Sequence, residues 1–210
     1  MVYENDVEML SYMVGLGISQ FLWSTHYEIF SFFGAAVRER RDLTRSYLEI
    51  GPGHGLLLEK ALNTFGASDR TVVIDISAAS LELTRAIIRH SMPERVDVEF
   101  VLGDILKSDL GGKFDFIAMG EVLEHVEQPA ALLARLKEML APGGRIFIST
   151  CANCPAIDHV YKFDTVDQIR DLIFASGLSI ERDLPLPVED MTVVDAEFRK
   201  ITINYCAILE

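Results

Sequence analysis

Basic residues are scarce in this chain. Nineteen lysines and arginines stand against thirty-two aspartates and glutamates, a net charge of −13 over 210 residues. That balance excludes the basic face a nucleic acid partner demands and argues against an anionic membrane surface. Cysteine is scarce too, with Cys151, Cys154 and Cys206 alone. An odd count points to a reducing compartment. The start, Met1-Val2-Tyr3-Glu4-Asn5-Asp6, is acidic and lacks the basic opening of a targeting segment. A cytoplasmic location is expected. No apolar run approaches the ~18 residues that a membrane span requires. Internal repeats, low-complexity segments and a linker that would divide the chain are absent as well. Half of the residues are apolar, enough for the core of one domain. These absences leave an acidic single domain whose natural substrate is a small molecule.

The most informative stretch is Tyr47-Leu48-Glu49-Ile50-Gly51-Pro52-Gly53-His54-Gly55. An apolar run ends in glycines at alternate positions, and helical spacing follows at once at Leu58, Leu62 and Phe65. The pattern predicts strand, tight turn and helix, with free N–H groups at the helix start facing a ligand that no Cβ keeps away. The dinucleotide fingerprint G-x-G-x-x-G is not met: its sixth position is Leu56 counted from Gly51 and Leu58 counted from Gly53. Glu49, two residues ahead of the first glycine, would repel a pyrophosphate and attract a cation. A sulfonium- and ammonium-bearing ligand such as S-adenosylmethionine suits that polarity.

From Ser46 onward apolar strands alternate with helical patterns. Strands are expected at 71–75, 97–102, 114–119, 145–150, 178–182 and 200–209. Helices are expected around Ala79, Leu83 and Ile87, around Leu133, Leu136 and Leu140 up to Pro142-Gly143-Gly144, and around Ile169, Leu172 and Ile173. This alternation predicts an α/β fold with a mostly parallel sheet and helices on both faces. Ahead of it, Val7, Leu10 and Val14, with Met9, Met13 and Leu16, space as a first helix that Gly15 and Gly17 end or kink. A second helix over about 19–40 is crowded with aromatics. Those aromatics either pack on the core or form a lid over the substrate, in which Trp23, His26 and Tyr27 would touch it. The expected organisation is one domain: a helical lid at 1–42, a cofactor-binding core at 43–150, and a substrate-side segment with the last strands at 151–210. Asp183-Leu184-Pro185-Leu186-Pro187-Val188-Glu189-Asp190 reads as a stiff excursion, running on to about Phe198, that could wall the pocket.

Further candidates fall at predicted strand ends, where open α/β sheets bind ligands. Asp75 closes the second strand and can accept both ribose hydroxyls, or instead cap the next helix; Ile76 can lie on an adenine. Gly103-Asp104-Ile105 follows the third strand, with Asp104 placed to accept from an adenine amino group and Ile105 against the ring. Phe114-Asp115-Phe116-Ile117-Ala118-Met119-Gly120-Glu121-Val122-Leu123-Glu124-His125-Val126 ends the fourth, and Ala141-Pro142-Gly143-Gly144-Arg145 precedes the fifth.

In this order, over residues 46–150, the segments resemble class I S-adenosylmethionine-dependent methyltransferases of the small-molecule type. The resemblance implies a Rossmann-like seven-stranded sheet with an antiparallel last strand. It implies S-adenosylmethionine as cofactor and S-adenosylhomocysteine as product. Its cofactor contacts would be Glu49, Gly51, Gly53, Gly55, Asp75, Ile76, Asp104, Ile105, Gly120 and Glu121. The implied reaction is methyl transfer to an oxygen or nitrogen of a specialised-metabolite type of acceptor. Much of such catalysis is in-line positioning, and a base is needed only for an acceptor protonated at neutral pH. Candidates are His125, just past the fourth strand, and His159 and Tyr161, which share one side of the segment 157–163 if it is extended. His54 reads as a neighbour of the cofactor loop and His90 as a helix-surface residue.

No metal site is expected. Cys151-Ala152-Asn153-Cys154 lacks the second pair of a structural zinc site; Cys206 and His159 could in principle complete one, but the cysteines read instead as small residues lining a strand end near the substrate. Asp104 and Glu121 could join a metal site as in some catechol-type enzymes, but the Gly-Asp-Ile setting points to adenine. Two other functions stay open: a non-catalytic cofactor-binding regulator, and a nicotinamide-dependent oxidoreductase, which Leu56 and Glu49 disfavour. The sequence also leaves a homodimer open.

Overall fold

The computed structural model describes residues 14–15, 17–65, 69–94 and 97–210. The expected first helix, carried by Val7, Met9, Leu10 and Met13, lies outside the described residues, as does Leu16. Seven strands form one sheet in the order β3-β2-β1-β4-β5-β7-β6. They are β1 (Ser46–Ile50), β2 (Arg70–Asp75), β3 (Val98–Leu102), β4 (Phe114–Gly120), β5 (Leu140–Ala152), β6 (Ile180–Pro187) and β7 (Ile203–Leu209). β1 to β5 run parallel where they pair, and β7 is antiparallel to both β5 and β6. Among the described residues, helices flanking the sheet include α1 (Ser24–Glu39), α2 (Leu56–Phe65), α3 (Ala78–Ser91), α4 (Pro129–Met139), α5 (Val166–Ala175) and α6 (Val193–Arg199).

The central strands are apolar throughout because both sheet faces are covered. Alternation divides β1 between two cores. Leu48 and Ile50 join Leu133 and Leu136 of α4 on one face, while Tyr47 joins Phe33 of α1 and Leu58 of α2 on the other. Phe33 has no exposed surface and sets its ring edge-on against Phe147 at 4.9 Å and Phe116 at 6.2 Å. The core-packing reading therefore holds for only part of the aromatic segment. Its C-terminal half is core, and its N-terminal half, with Phe21, Trp23 and Tyr27 exposed, is not.

Three differences from the expected elements have plain causes. The Asp183–Pro187 half of the predicted excursion is strand β6, and residues 193–199 are helix α6. β6 is the last strand of the sheet, where proline's missing N–H leaves no ladder bond unmade. α4 stops at Met139, and Pro142-Gly143-Gly144 lies within extended β5. The stripe Ala79, Leu83, Ile87 is not the core face of α3; Ser80, Leu81, Thr84 and Ile88 are buried instead. Leu83 and Ile87 face a cleft of about 250 Å³ lined also by Val14, Ile18, Phe21 and His54.

Register places the site. Ile50 pairs with Ile74 and with Met119, Asp75 with Leu102, and Gly120 with Ser149. The glycine turn, Asp75, Gly103 and Glu121 thus leave the sheet at one level, along the carboxyl edge.

Candidate active site

Gly51, Gly53 and Gly55 all have positive φ, at 62°, 51° and 71°. Only glycine takes this backbone without strain. A Cβ on Gly51 would meet Val122 Cγ2 at 2.6 Å, so side chain and backbone both require the glycine. Beneath the turn, Glu49 is 1% exposed. Tyr47, two residues back on the same strand face, donates its hydroxyl to Oε2, while Oε1 is buried with no hydrogen-bond partner. Burial pushes the Glu49 carboxyl up to about 8, against the pull of the Tyr47 hydroxyl and the Leu58 backbone N–H. A buried acceptor left open at the glycine turn fits a ligand that brings an ammonium group.

The next two strand ends each carry an acid. Asp75 Oδ1 accepts from the Ser77 N–H at 2.8 Å and Oδ2 from the Ser80 hydroxyl at 2.7 Å. The acid therefore holds the start of α3 from its place at the carboxyl edge. Ile76 is 70% exposed and Leu102 61%, two apolar side chains open beside Asp75. Asp104 turns its carboxylate onto the Leu106 N–H and the Lys107 ammonium, which hold it below the usual range. Ile105 departs from expectation: it is buried and belongs to the main core, because the turn after β3 directs it inward. The face of the ring is left to Ile76.

Over the glycine turn stands the N-terminal helical segment. Gly17 lies 3.6 Å, at its ideal Cβ, from the Cβ of His54. His26 meets Ser19 Oγ at 2.8 Å and packs edge-on with Trp23 at 4.8 Å. Burial lowers His26, and burial together with His26 lowers His54 to about 4, so both rings are neutral at pH 7. Of the expected substrate contacts, His26 is half-buried beside the turn, while Trp23 and Tyr27 are open to solvent.

The ends of β4 and β5 carry a second constellation. Glu121 leaves β4 in a left-handed conformation, φ 52°, and donates its N–H to Ser149. A short 3₁₀ helix, Leu123–His125, then brings Glu124 back beside Glu121. The two carboxyls share a hydrogen bond. Glu124 is 1% exposed and accepts from Thr150 Oγ1 at 2.8 Å; burial pushes it up to about 7. Glu121 is ringed by protein yet reached by solvent. Burial and the Glu124 charge push it up as well, and solvent access limits how far.

The loop after β5 is not extended. It turns at 157–158, and the Val160 and Tyr161 N–H groups both donate to the Glu124 carbonyl at 2.9 Å. That tie delivers His159 to His125, with ring centroids 5.0 Å apart and nearly perpendicular. His125 Nδ1 donates to the Asp158 carbonyl at 2.9 Å and lies 3.8 Å from the Asp158 carboxylate; His159 Nδ1 donates to the Cys154 carbonyl at 2.8 Å. A carbonyl can only accept, so each ring carries a proton on Nδ1. Tyr161 does not join them. With no strand alternation to align it with His159, it packs on Phe163 at 4.9 Å. Cys151 and Cys154 lie under this pair: the Cys151 thiol, raised, donates to Cys154, whose thiol it lowers.

Sequence reasoning weighed the two cysteines with His159 and set the grouping aside, and it missed Glu124 and Asp158 as members of this group. The usable signal was spacing: Glu-x-x-Glu-His at 121–125 and Cys-x-x-Cys-x-x-x-x-His at 151–159.

The methyltransferase domain family model matches residues 25–181, three quarters of the chain. This chain belongs to the class I S-adenosylmethionine-dependent methyltransferase family. The family assignment and the sheet order agree with the expected seven-stranded Rossmann-like fold. A ubiquinone biosynthesis O-methyltransferase of Nitrosococcus oceani is 34% identical over 110 residues, 51% of this chain and 44% of that protein. The chain thus matches less than half the length of that relative. The N-methyltransferase NodS of Bradyrhizobium japonicum, solved with S-adenosylhomocysteine, superposes with a TM-score of 0.68 at 18% identity, over 90% of this chain and 89% of its own. The [4+2]-cyclase SpnF superposes at 0.64 and 15% identity, over 84% and 78%. At such identities the likeness is one of fold, and a fold does not fix a chemistry. Among the described residues no helix is long and apolar enough to cross a membrane.

Proposed function

We propose that the chain transfers the methyl group of S-adenosylmethionine to an oxygen or nitrogen of a small, partly apolar, uncharged or cationic acceptor. The observation that carries this is His125, its Nδ1 held on the Asp158 carbonyl and its ring set edge-on against His159, at the carboxyl edge one strand from the glycine turn. Glu49, Gly51, Gly53 and Gly55 would take the amino-acid part of the cofactor, Asp75 and Ile76 its ribose and adenine, and Asp104 the adenine amino group. S-adenosylmethionine supplies a methyl on a sulfonium and leaves as S-adenosylhomocysteine. The protein's part is to hold the acceptor in line and take its proton. A base oriented by a third group is the arrangement such a transfer uses. Glu121 and Glu124 line the acceptor side with carboxyl groups that can hydrogen-bond a neutral molecule and would ionise beside a cationic one. Exposed Val160, and Trp23 and Tyr27 from the helical segment, offer apolar contacts around it. The relatives' O-methyltransferase name supports an oxygen acceptor, and the expected specialised-metabolite class is narrower than anything the relatives' names support.

Methyl-labelled cofactor offered with a panel of phenols, alcohols and amines tests this reading. Transfer to at least one, with kcat reduced about 10²–10⁴-fold in His125→Gln at unchanged S-adenosylhomocysteine affinity, is the expected result. Transfer only to protein or nucleic acid would overturn it.

A further inference from the structure

The thiolate and imidazole cluster under the acceptor side is not used by methyl transfer as described. Cys151 Sγ, Cys154 Sγ and a ring nitrogen of His159 lie within 4.8 Å of one another; ligation through Nδ1, 4.0 Å from Cys151 Sγ, would release its proton and its hydrogen bond to the Cys154 carbonyl as the ion enters. Tetrahedral ligands at the usual zinc–sulfur and zinc–nitrogen lengths stand about 3.5–3.8 Å apart, so small side-chain shifts close the set. A carboxylate oxygen of Glu124 comes within the same 4.8 Å of Cys151 in one grouping and of His159 in another. Neither Glu121 nor Glu124 has a lysine or arginine partner among the described residues. Four groups that can carry negative charge therefore converge with no fixed cation to balance them.

The backbone favours the same conclusion. Asn153, between the cysteines, holds a left-handed φ of 51°, which curls the Cys-x-x-Cys segment. It is 5% exposed, and its Nδ2 has no hydrogen-bond partner. An open amide donor between the two cysteines suits thiolate sulfurs, which accept hydrogen bonds. His159 comes to the sulfurs because Val160 and Tyr161 anchor its loop on Glu124.

We propose that Cys151, Cys154 and His159 bind one zinc-class divalent ion, with its fourth position open toward Glu121 and Glu124. Two thiolates and one imidazole with an open position form a catalytic rather than a structural zinc set. The ion's role in turnover rests on the methyl-transfer reading: it would bind the acceptor hydroxyl and favour its ionised form, the proton passing to His125. The oxygen–carbon bond then forms as the carbon–sulfur bond breaks, its electron pair staying on the departing thioether.

The test is cobalt substitution of the full chain under reducing conditions. One cobalt ion per chain with an intense thiolate-to-metal charge-transfer band, displaced by one equivalent of zinc, is the expected result. Cys154→Ser and His159→Ala should each lose the band while still binding S-adenosylhomocysteine, which shows that the fold persists. Cys154 is half-buried, so its variant is expected to fold even if Cys151→Ser does not. Failure to take up cobalt, a bound ion without the charge-transfer band, or an unchanged band in Cys154→Ser would each overturn the site. A loaded protein that methylates nothing would keep the site and remove its role in methyl transfer.

Discussion

The carboxyl edge of the sheet has two halves that differ in how their chemistry is assembled. On the β1–β2–β3 side each group sits on its own strand end: Glu49 and the glycines after β1, Asp75 after β2, Asp104 after β3. Their positions follow from strand register and need no distant partner. On the β4–β5 side the chemistry is pooled. Glu121, Glu124 and His125 come from one turn, Cys151 and Cys154 from a second, Asp158 and His159 from a loop tied to the first by two hydrogen bonds. A ligand held in the first half meets separable contacts, whereas the second half stands or falls as a network.

The comparison breaks most visibly at Gly51. Gly51→Val puts a β-branched residue at φ 62° and drives its Cβ into Val122. We expect S-adenosylhomocysteine binding to be lost and stability to fall by about 3 kcal/mol. Calorimetric titration and thermal melting read the two effects, and intact binding would show that the turn is not the cofactor cradle.

Glu49→Gln sharpens the electrostatic side. Burial pushes the Glu49 carboxyl up to about 8 in the folded chain, against about 4.5 for a solvated glutamate. Between those values the folded state holds a proton that the unfolded state has released. Stability therefore falls as pH rises from about 4.5 to about 8 and is level above that. Glu49→Gln removes this slope and, at pH 8, should leave the ligand-free protein more stable by on the order of 3 kcal/mol, or roughly 6–12 °C in Tm. Affinity for S-adenosylmethionine should drop in the same variant. Parallel melting curves of wild type and variant from pH 5 to 8 decide it, and identical slopes would count against the assignment.

Asp75→Ala is the next step down. It removes the acceptor for Ser77 N–H and the Ser80 hydroxyl, so a stability loss of about 1 kcal/mol accompanies weaker cofactor binding. Asp75→Asn keeps a side-chain acceptor for the helix start. It should recover more of the stability than of the affinity, and equal recovery of both would make the residue a cap alone. Trp23→Ala sits at the small end. The side chain is 61% exposed, so stability should move by less than about 0.5 kcal/mol, with any change confined to KM for the acceptor.

The legibility of the molecule follows the same division. The glycine turn was readable because left-handed backbone and close approach demand glycine at fixed positions. Asp75 and Asp104 were readable because a strand's end is visible in its composition. His159 was found as a residue and weighed with the cysteines, but its place beside Glu124 and His125 was not legible, because it depends on a loop hooking onto the Glu124 carbonyl. Tyr161 was paired with His159 by an alternation that holds only in a strand, and the loop is not one. Ile105 was assigned to the ligand and went to the core, since the turn after β3 sets which way it faces.

By itself the sequence determined the alternating α/β order, the parallel sheet and the cofactor turn, since each rests on local periodicity or on backbone conformations open to few residues. Only the tertiary structure decided which half of the aromatic segment is core and that the proline-rich stretch is an edge strand. It also brought two cysteines, two histidines and two glutamates from three separate segments together. Those outcomes depend on contacts between residues distant in the chain, and no local pattern encodes such contacts.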